Sequence, residues 1–389
     1  MQAGIYRYLA LDQVHFGRKV ADALREEAAS RGAAGVFVVT SRSLNRNTDA
    51  VKEAITDIAD RVVDVFDECV EHAPRPAVLK LVERMRAAPV DLVVSIGGGT
   101  VIDTVKIALL CLAESVQSED DFDRCRIVVR EDGSRHVPHI DAPPYRQIAV
   151  PTTLSAAEFS DLGGCVDVRG GQKHLYTSPL IGPAAVILDP SITVHTPARL
   201  WLSTGVRAVD HAIEALCSPG AQALTDANCL HALKLLSQSL PLNRTDPCDL
   251  NARLQSQLGV WLASSGINRV DFGASHGIGH VLGGALGVPH GLTSAALLPA
   301  VLEFNSDVCS ERQEWISRAL GFPGQPAWRV VKAFIETLGL PSDLRQLGVP
   351  RERFAEIAAK ALANPWVRTN PKPVERVTDV LEILRRAYE

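Results

Sequence analysis

The rhythm of the first third of the chain, where short β-branched runs alternate with helical patterns, most limits what it can fold into. "GVFVVTS" at 35 to 41 and "RVVDVF" at 61 to 66 lead to the amphipathic "AVLKLVERMRAA" at 77 to 88, and then to "DLVVSIGGGT" at 91 to 100. Such alternation builds βαβ units on a parallel sheet. A run as apolar as "LVVSI" calls for cover on both faces. Residues 116 to 145 break the rhythm with a charged segment, whose centre "CRIVVREDGSRHVPHI" reads as a hairpin over 124 to 140 closed by Asp132-Gly133. The sheet resumes at "YRQIAVPTT" and ends near "AAVILDPSI". From "TPARLWLSTGVRAVDHAIEALCS" onward every pattern is helical. The expected architecture is an α/β domain with a parallel sheet over 1 to 195 and an all-α domain over 196 to 389, with ligands in the cleft between them.

At 389 residues and 46% hydrophobic content the chain exceeds what one core usually supports, which agrees with two domains. The net charge is -5 and the basic residues are scattered, so neither nucleic acid nor an anionic membrane is the expected partner. A small molecule is. The N-terminus lacks a basic region followed by an apolar core, and no stretch reaches bilayer length, so a cytoplasmic location is expected. The eight cysteines, at 69, 111, 125, 165, 217, 229, 248 and 309, are dispersed without a C-x-x-C pair and read as buried reduced thiols.

Three segments are candidates for holding a cofactor. In "SIGGGTVIDTVK" the glycines Gly97, Gly98 and Gly99 would let backbone N–H groups approach a pyrophosphate, at a helix opening at Thr100 whose dipole favours anions. A tight turn without a ligand explains the same letters, because this is not the G-x-G-x-x-G fingerprint. Asp103 either faces the cofactor or, with Lys106, forms solvated surface. In "VPTTLSAAE" the hydroxyls of Thr152, Thr153 and Ser155 suit a ribose or phosphate, or else cap the next turn. In "TSRSLNRN", 40 to 47, no carboxylate stands ready for a ribose 2′-hydroxyl, while Ser41 and Arg42 suit a 2′-phosphate. NADPH, or either NADPH or NADH, is the expected cofactor; an exposed loop is the alternative.

The chemistry-bearing groups lie in the second half. "SHGIGHVLGGALGVPHG" carries His276 and His280 one helical turn apart, with His290 opening the following helix. In "GVRAVDHAIEA", Arg207 and His211 stand four apart on one face and Asp210 projects roughly 100° away. Four histidines converging would form a functional cluster.

"GGGTVIDTVK", "VPTTLSAAE", "VILDP", "GVRAVDHAIEA" and "SHGIGHVLGGALGVPHGLTSAALLP", in this order, resemble the iron-dependent (group III) alcohol dehydrogenase superfamily from about residue 13 onward. The resemblance implies a Rossmann-like N-terminal domain, a helical C-terminal domain, a nicotinamide over the glycine loop and a homodimer. This is the dehydroquinate synthase-like, or iron-alcohol-dehydrogenase, fold. It also implies that His211, His276 and His290 correspond to metal ligands, and that His280 lies near the nicotinamide. The fourth ligand, an aspartate, is replaced by Arg207. A guanidinium about 4 Å from a divalent ion opposes it by about 8 kcal/mol even at an effective dielectric of 20. Metal is therefore expected to be absent, as in the maleylacetate reductase branch that the chain resembles most.

On that reading protonated His276 or His280, with Arg207 and Lys173, stabilises the oxygen anion formed by hydride transfer, and His280 or His276 donates the proton. His211, His276 and His290 would contact substrate, and Arg207 offers a planar fork for a substrate carboxylate. A surface ion pair of Arg207 with Asp210 or Glu214 is the plainer reading of that arginine. The other functional expectations are a metal-dependent alcohol dehydrogenase using His211, His276 and His290, and a catalytically silent dinucleotide-binding protein.

Overall fold

A computed structural model describes residues 4–130 and 134–389. It divides into two compact units, Arg7–Thr196, and Pro197–Glu389 together with the segment ending at Tyr6.

The strands of the α/β unit are β1 (Gln13–Phe16), β2 (Val36–Thr40), β3 (Val62–Phe66), β4 (Leu92–Gly97), β5 (Val128–Val129), β6 (Arg135–His136), β7 (Gln147–Pro151), β8 (Leu162–Asp167), β9 (Gln172–Thr177) and β10 (Ala185–Leu188). Its helices are α1 (Val20–Ser30), α2 (Arg42–Asn47), α3 (Ala50–Ala54), α4 (Arg75–Ala87), α5 (Gly99–Ala113) and α6 (Pro190–Thr193). Six strands form one parallel sheet in the order β1-β10-β7-β4-β2-β3. Because side chains alternate along a strand, Val36 and Val38 enter one core with Leu24, Val94 and Ile187. Phe37 and Val39 enter the other, with Val93, Val105 and Leu109. The sheet is thus buried on both faces, as its apolar runs require. Asp189 of "VILDP" ties the end of β10 to the start of α1, its Oδ2 accepting from Val20 N at 2.9 Å.

Three strands escape the sequence pattern. β1 is an edge strand with exposed ends, and β8 pairs antiparallel with β9 around a turn in which Gly171 has φ +62°. The hairpin expected over 124 to 140 is present as two-residue strands, Val128 opposite His136 and Val129 opposite Arg135. Its predicted turn, Asp132-Gly133, lies outside the described residues. All eight cysteines are free thiols, and Cys248 is exposed rather than buried.

The other unit is helical: α7 (Ala198–Cys217), α8 (Ala223–Thr245), α9 (Leu250–Ala263), α10 (Ala274–Leu286), α11 (His290–Phe304), α12 (Ser310–Ala319), α13 (Ala327–Thr337), α14 (Phe354–Leu362), α15 (Pro365–Arg368) and α16 (Val377–Arg386). Ile278, Leu282, Leu297, Val301, Phe304, Ile357 and Ile383 knit α10, α11, α14 and α16 into one core. Where α11 meets α7, a Cβ on Gly291 would run into the Ser203 carbonyl, so only glycine permits this approach. No helix among the described residues is long and apolar enough to cross a membrane.

Candidate active site

In the α/β unit the expected cofactor residues form one structure. β4 ends at Gly97, Gly98 caps α5, and the helix opens at Gly99, one residue before the expected Thr100. A Cβ on Gly98 would lie 2.9 Å from Thr153 Cγ2, and one on Gly99 2.8 Å from Ser155 Oγ. The glycines therefore make room for the 152–155 loop as well as for a ligand. Thr152 N donates to Gly97 O at 3.0 Å and the Thr152 carbonyl accepts from Thr196 Oγ1 at 2.6 Å. Thr153 Oγ1 donates to Ser155 Oγ at 3.4 Å. Gly99 and Thr100 sit where the amides of a helix N-terminus lack intrahelical acceptors, an arrangement suited to phosphate.

Beneath this loop lies a buried charge cluster that sequence reasoning missed. Lys106, one reading of which was solvated surface, is fully buried and donates to Asp103 Oδ1 at 3.0 Å and to Leu162 O at 2.9 Å. Asp103 is thereby turned toward Lys106. Glu158, the last residue of "VPTTLSAAE", is 2% exposed; burial pushes its carboxyl up to about 7, and its Oε2 has no hydrogen-bond partner.

Ser41 is the N-cap of α2, its Oγ accepting from Leu44 N at 3.3 Å. Arg42 is exposed beside it. β2 supplies no carboxylate here, but the segment that follows neighbouring β3 does: Arg46 and Asn45 hold Asp67 at about 2, and Arg42 adds to the field on Asp67 and Glu68. Lys173 is half-buried on β9, in the α/β unit, whereas the histidines belong to the helical unit.

In that helical unit α7, α10 and α11 gather the chemistry. His211 and His276 rings lie 4.9 Å apart between centroids, and Phe272 packs 5.6 Å from the first and 4.3 Å from the second. Trp366 continues the row, 6.2 Å from His276 and 4.6 Å from His280, which stands 5.2 Å from His290. The four histidines therefore form two pairs on either side of Trp366. Nothing in the sequence around "NPWVRTN" marks Trp366 as part of the row.

Glu214 holds the N-terminus of α10. Its carboxylate accepts from Gly273 N at 2.9 Å, Ser275 N at 2.8 Å and His276 N at 3.3 Å, and from His276 Nδ1 at 2.7 Å. Asp210 Oδ2 accepts from Ser294 Oγ at 2.6 Å and Ser275 Oγ at 3.0 Å, while Oδ1 is buried without a partner. Arg207 Nη1 donates to that same Ser294 Oγ at 2.9 Å and lies 3.6 Å from Asp210 Oδ2. Burial raises both acids above their ordinary range, with Glu214 raising Asp210 further.

Three expectations are corrected here. Asp210 does not project away from the site, because the long arginine side chain reaches it across one helical turn. The Arg207 ion pair is no surface feature, since Asp210 is fully buried and Arg207 is 11% exposed along its side chain. A protonated His276 is not the resting form. Burial, and next the Arg207 charge, push it well below the usual imidazole range; burial, His276 and Arg207 do the same to His211. With Nδ1–H donated to Glu214, His276 presents a bare Nε2 that has no partner, as does His211 Nδ1.

Donor atoms of Asp210, Glu214 and His276 all lie within 4.8 Å of one another. They nevertheless fit a divalent ion poorly: Glu214 is committed to four N–H groups, Asp210 Oδ2 accepts from two hydroxyls, and the Arg207 guanidinium stands 3.6 Å from it. The Arg207 charge, which adds to burial in suppressing imidazolium at His211 and His276, would also oppose a metal cation.

Residues 12–190 match the family model described as iron-containing alcohol dehydrogenase, and residues 201–388 match the Fe-containing alcohol dehydrogenase family, C-terminal. Dehydrogenase ALT3 of Alternaria alternata is 32% identical, the alignment covering 92% of this chain and 99% of that one. Maleylacetate reductase of Sphingobium indicum is 29% identical over 90% of each chain. The crystal structure of maleylacetate reductase from Agrobacterium tumefaciens superposes with a TM-score of 0.83 at 26% identity, covering 100% of this chain and 99% of the other.

Proposed function

The chain belongs to the iron-containing alcohol dehydrogenase family and is an NAD(P)-dependent oxidoreductase, and from that premise we propose that it reduces a small carbonyl or enone substrate bearing a carboxylate, of the maleylacetate to 3-oxoadipate kind, without a metal. The observation that carries this reading is Arg207, a cation set among His211, His276 and Asp210. It stands where the resemblance puts a metal-binding aspartate.

NADPH or NADH would lie along the Gly97–Thr100 turn and the 152–155 loop, and supplies the hydride when bound. Hydride arrival leaves negative charge on the substrate oxygen, and Arg207 is the fixed cation closest in kind to the missing Lewis acid. Its planar fork also suits a carboxylate. His276, neutral and tautomerically fixed by Glu214, accepts a hydrogen bond through Nε2 and cannot donate there. The proton donor is then His280, half-buried beside Trp366 and His290. We further read the protein as cytoplasmic and homodimeric. The β5–β6 edge, with Val128 39% and Val129 38% exposed, offers an apolar strip for pairing, and a monomer by light scattering would reject that.

The test is NADH and NADPH oxidation against maleylacetate and a panel of neutral aldehydes, with and without EDTA. Turnover of the acidic substrate unchanged by EDTA is expected. Loss of activity restored by ferrous or zinc ion would overturn the metal-free reading. No change in nicotinamide fluorescence on mixing would point to a catalytically silent protein instead.

A further inference from the structure

Arg207 and Asp210 are a guanidinium and a carboxyl group one helical turn apart in a nearly dry site, yet they do not close a full ion pair. Their nearest atoms are 3.6 Å apart. Buried guanidinium and carboxylate groups ordinarily pair in parallel, two N–H donors to two oxygens. Here the Ser294 hydroxyl stands between them, accepting from Arg207 Nη1 at 2.9 Å and donating to Asp210 Oδ2 at 2.6 Å. Asp210 Oδ1 is left buried with no partner among the described residues. Among the described residues, the hydrogen bond of the Arg207 guanidinium is the one from Nη1 to Ser294, and Nε and Nη2 make none. One edge of the fork is therefore held and the other is vacant.

The placement of Ser294 follows from the helix contact. Gly291 lets α11 approach α7 at Ser203, and one turn further along each helix brings Ser294 against Arg207.

We propose that Ser294 is a specificity-determining spacer: it holds Arg207 off Asp210 and so keeps the Nε/Nη2 edge available for an anionic group of the substrate. Ser294 is a positioning residue acting through Arg207. The proposal rests on the acidic-substrate reading above and adds the residue that makes it work. Without the hydroxyl, Arg207 closes on Asp210, draws its carboxyl into the ionised form, and the fork is lost to substrate. Removing Asp210's charge as well removes the competitor. The effects of the two substitutions must then oppose each other, which loss of packing alone would not produce.

The experiment compares 4-oxopent-2-enoate with its methyl ester, which share the enone and differ in the charge. Ser294→Ala is expected to raise KM for the acid about tenfold while KM for the ester stays within about twofold; because Arg207 also faces the oxygen charge that hydride transfer creates, kcat should fall by a similar factor for both compounds. Ser294→Thr, which keeps a hydroxyl, should restore the acid KM to within about threefold. Asp210→Asn should leave the acid KM unchanged or lower it, and Ser294→Ala/Asp210→Asn should recover most of the loss. Equal effects on the two KM values, or additive losses in the double variant, would overturn the spacer.

If the wild type reduces neither compound, the functional reading has failed, and maleate affinity by calorimetry in the presence of NADPH decides the spacer alone. The same pattern of loss, rescue and recovery supports it. Indifference of maleate binding to Ser294→Ala, or no maleate binding to the wild type, overturns it.

Discussion

At the scale of single residues the chain stores its most consequential charges out of sight. Glu158 sits fully buried under the 152–155 loop with its carboxyl raised to about 7. Burial is the cause, opposed by its own backbone amide and then by Lys106. A carboxyl raised in the folded state holds a proton that the unfolded chain has already released, so its contribution to stability is intact below the ordinary range near 4.5 and declines as pH rises toward 7. At pH 8 the cost is on the order of 3 kcal/mol relative to pH 4. Glu158→Gln, neutral at every pH, should flatten urea-denaturation stability between these limits and exceed the wild type above pH 7. An unchanged slope would show that Glu158 is solvated. The sequence carried the letter but not its burial, because a glutamate closing a polar loop looks like surface.

At the scale of elements the histidine pattern was readable and its arrangement was not. His276 and His280 share a face of α10 as their spacing requires, but which ring meets which depends on Phe272 and on Trp366, brought in by a short helix some ninety positions downstream of His276. Asp210 was misplaced for a related reason. α7 is buried nearly all round from Trp201 to Cys217, so a distinction between a site face and a solvent face has no meaning along it. Glu214 illustrates what such a helix contributes, since its carboxylate satisfies three amides at the start of α10 and fixes the His276 tautomer. Glu214→Ala leaves these donors buried and unpaired and should cost about 3 kcal/mol in denaturant unfolding. For a unit of this size that corresponds to a melting temperature roughly 6 to 12 °C lower. A loss below about 1 kcal/mol would mean that water replaces the cap.

At the scale of the whole molecule the two-part architecture was legible because its signals are long and redundant: apolar runs in the parallel strands other than β1, then a second half whose described elements are helical. The elements that escaped are those with weak patterns. β1 is a four-residue edge strand with little to bury, and β8 and β9 lie in a glycine-rich segment that a period-two pattern does not flag. On the metal-free reading, the feature that most separates this chain from an iron enzyme is a single position, and it can be reversed. Arg207→Asp removes a cation opposing a divalent ion by about 8 kcal/mol at an effective dielectric of 20 and puts a carboxylate four residues before His211. On the metal-free reading, the wild type purified from metal-supplemented medium should contain well under one iron or zinc per chain by elemental analysis. Arg207→Asp should approach one. The variant should also lose the preference for the acid over its ester, since the fork is gone. Stoichiometric metal in the wild type would overturn the assignment of Arg207 as the replacement for the ion. A variant that stays metal-free while folded would show that three histidines and an aspartate at these positions are not a sufficient cage.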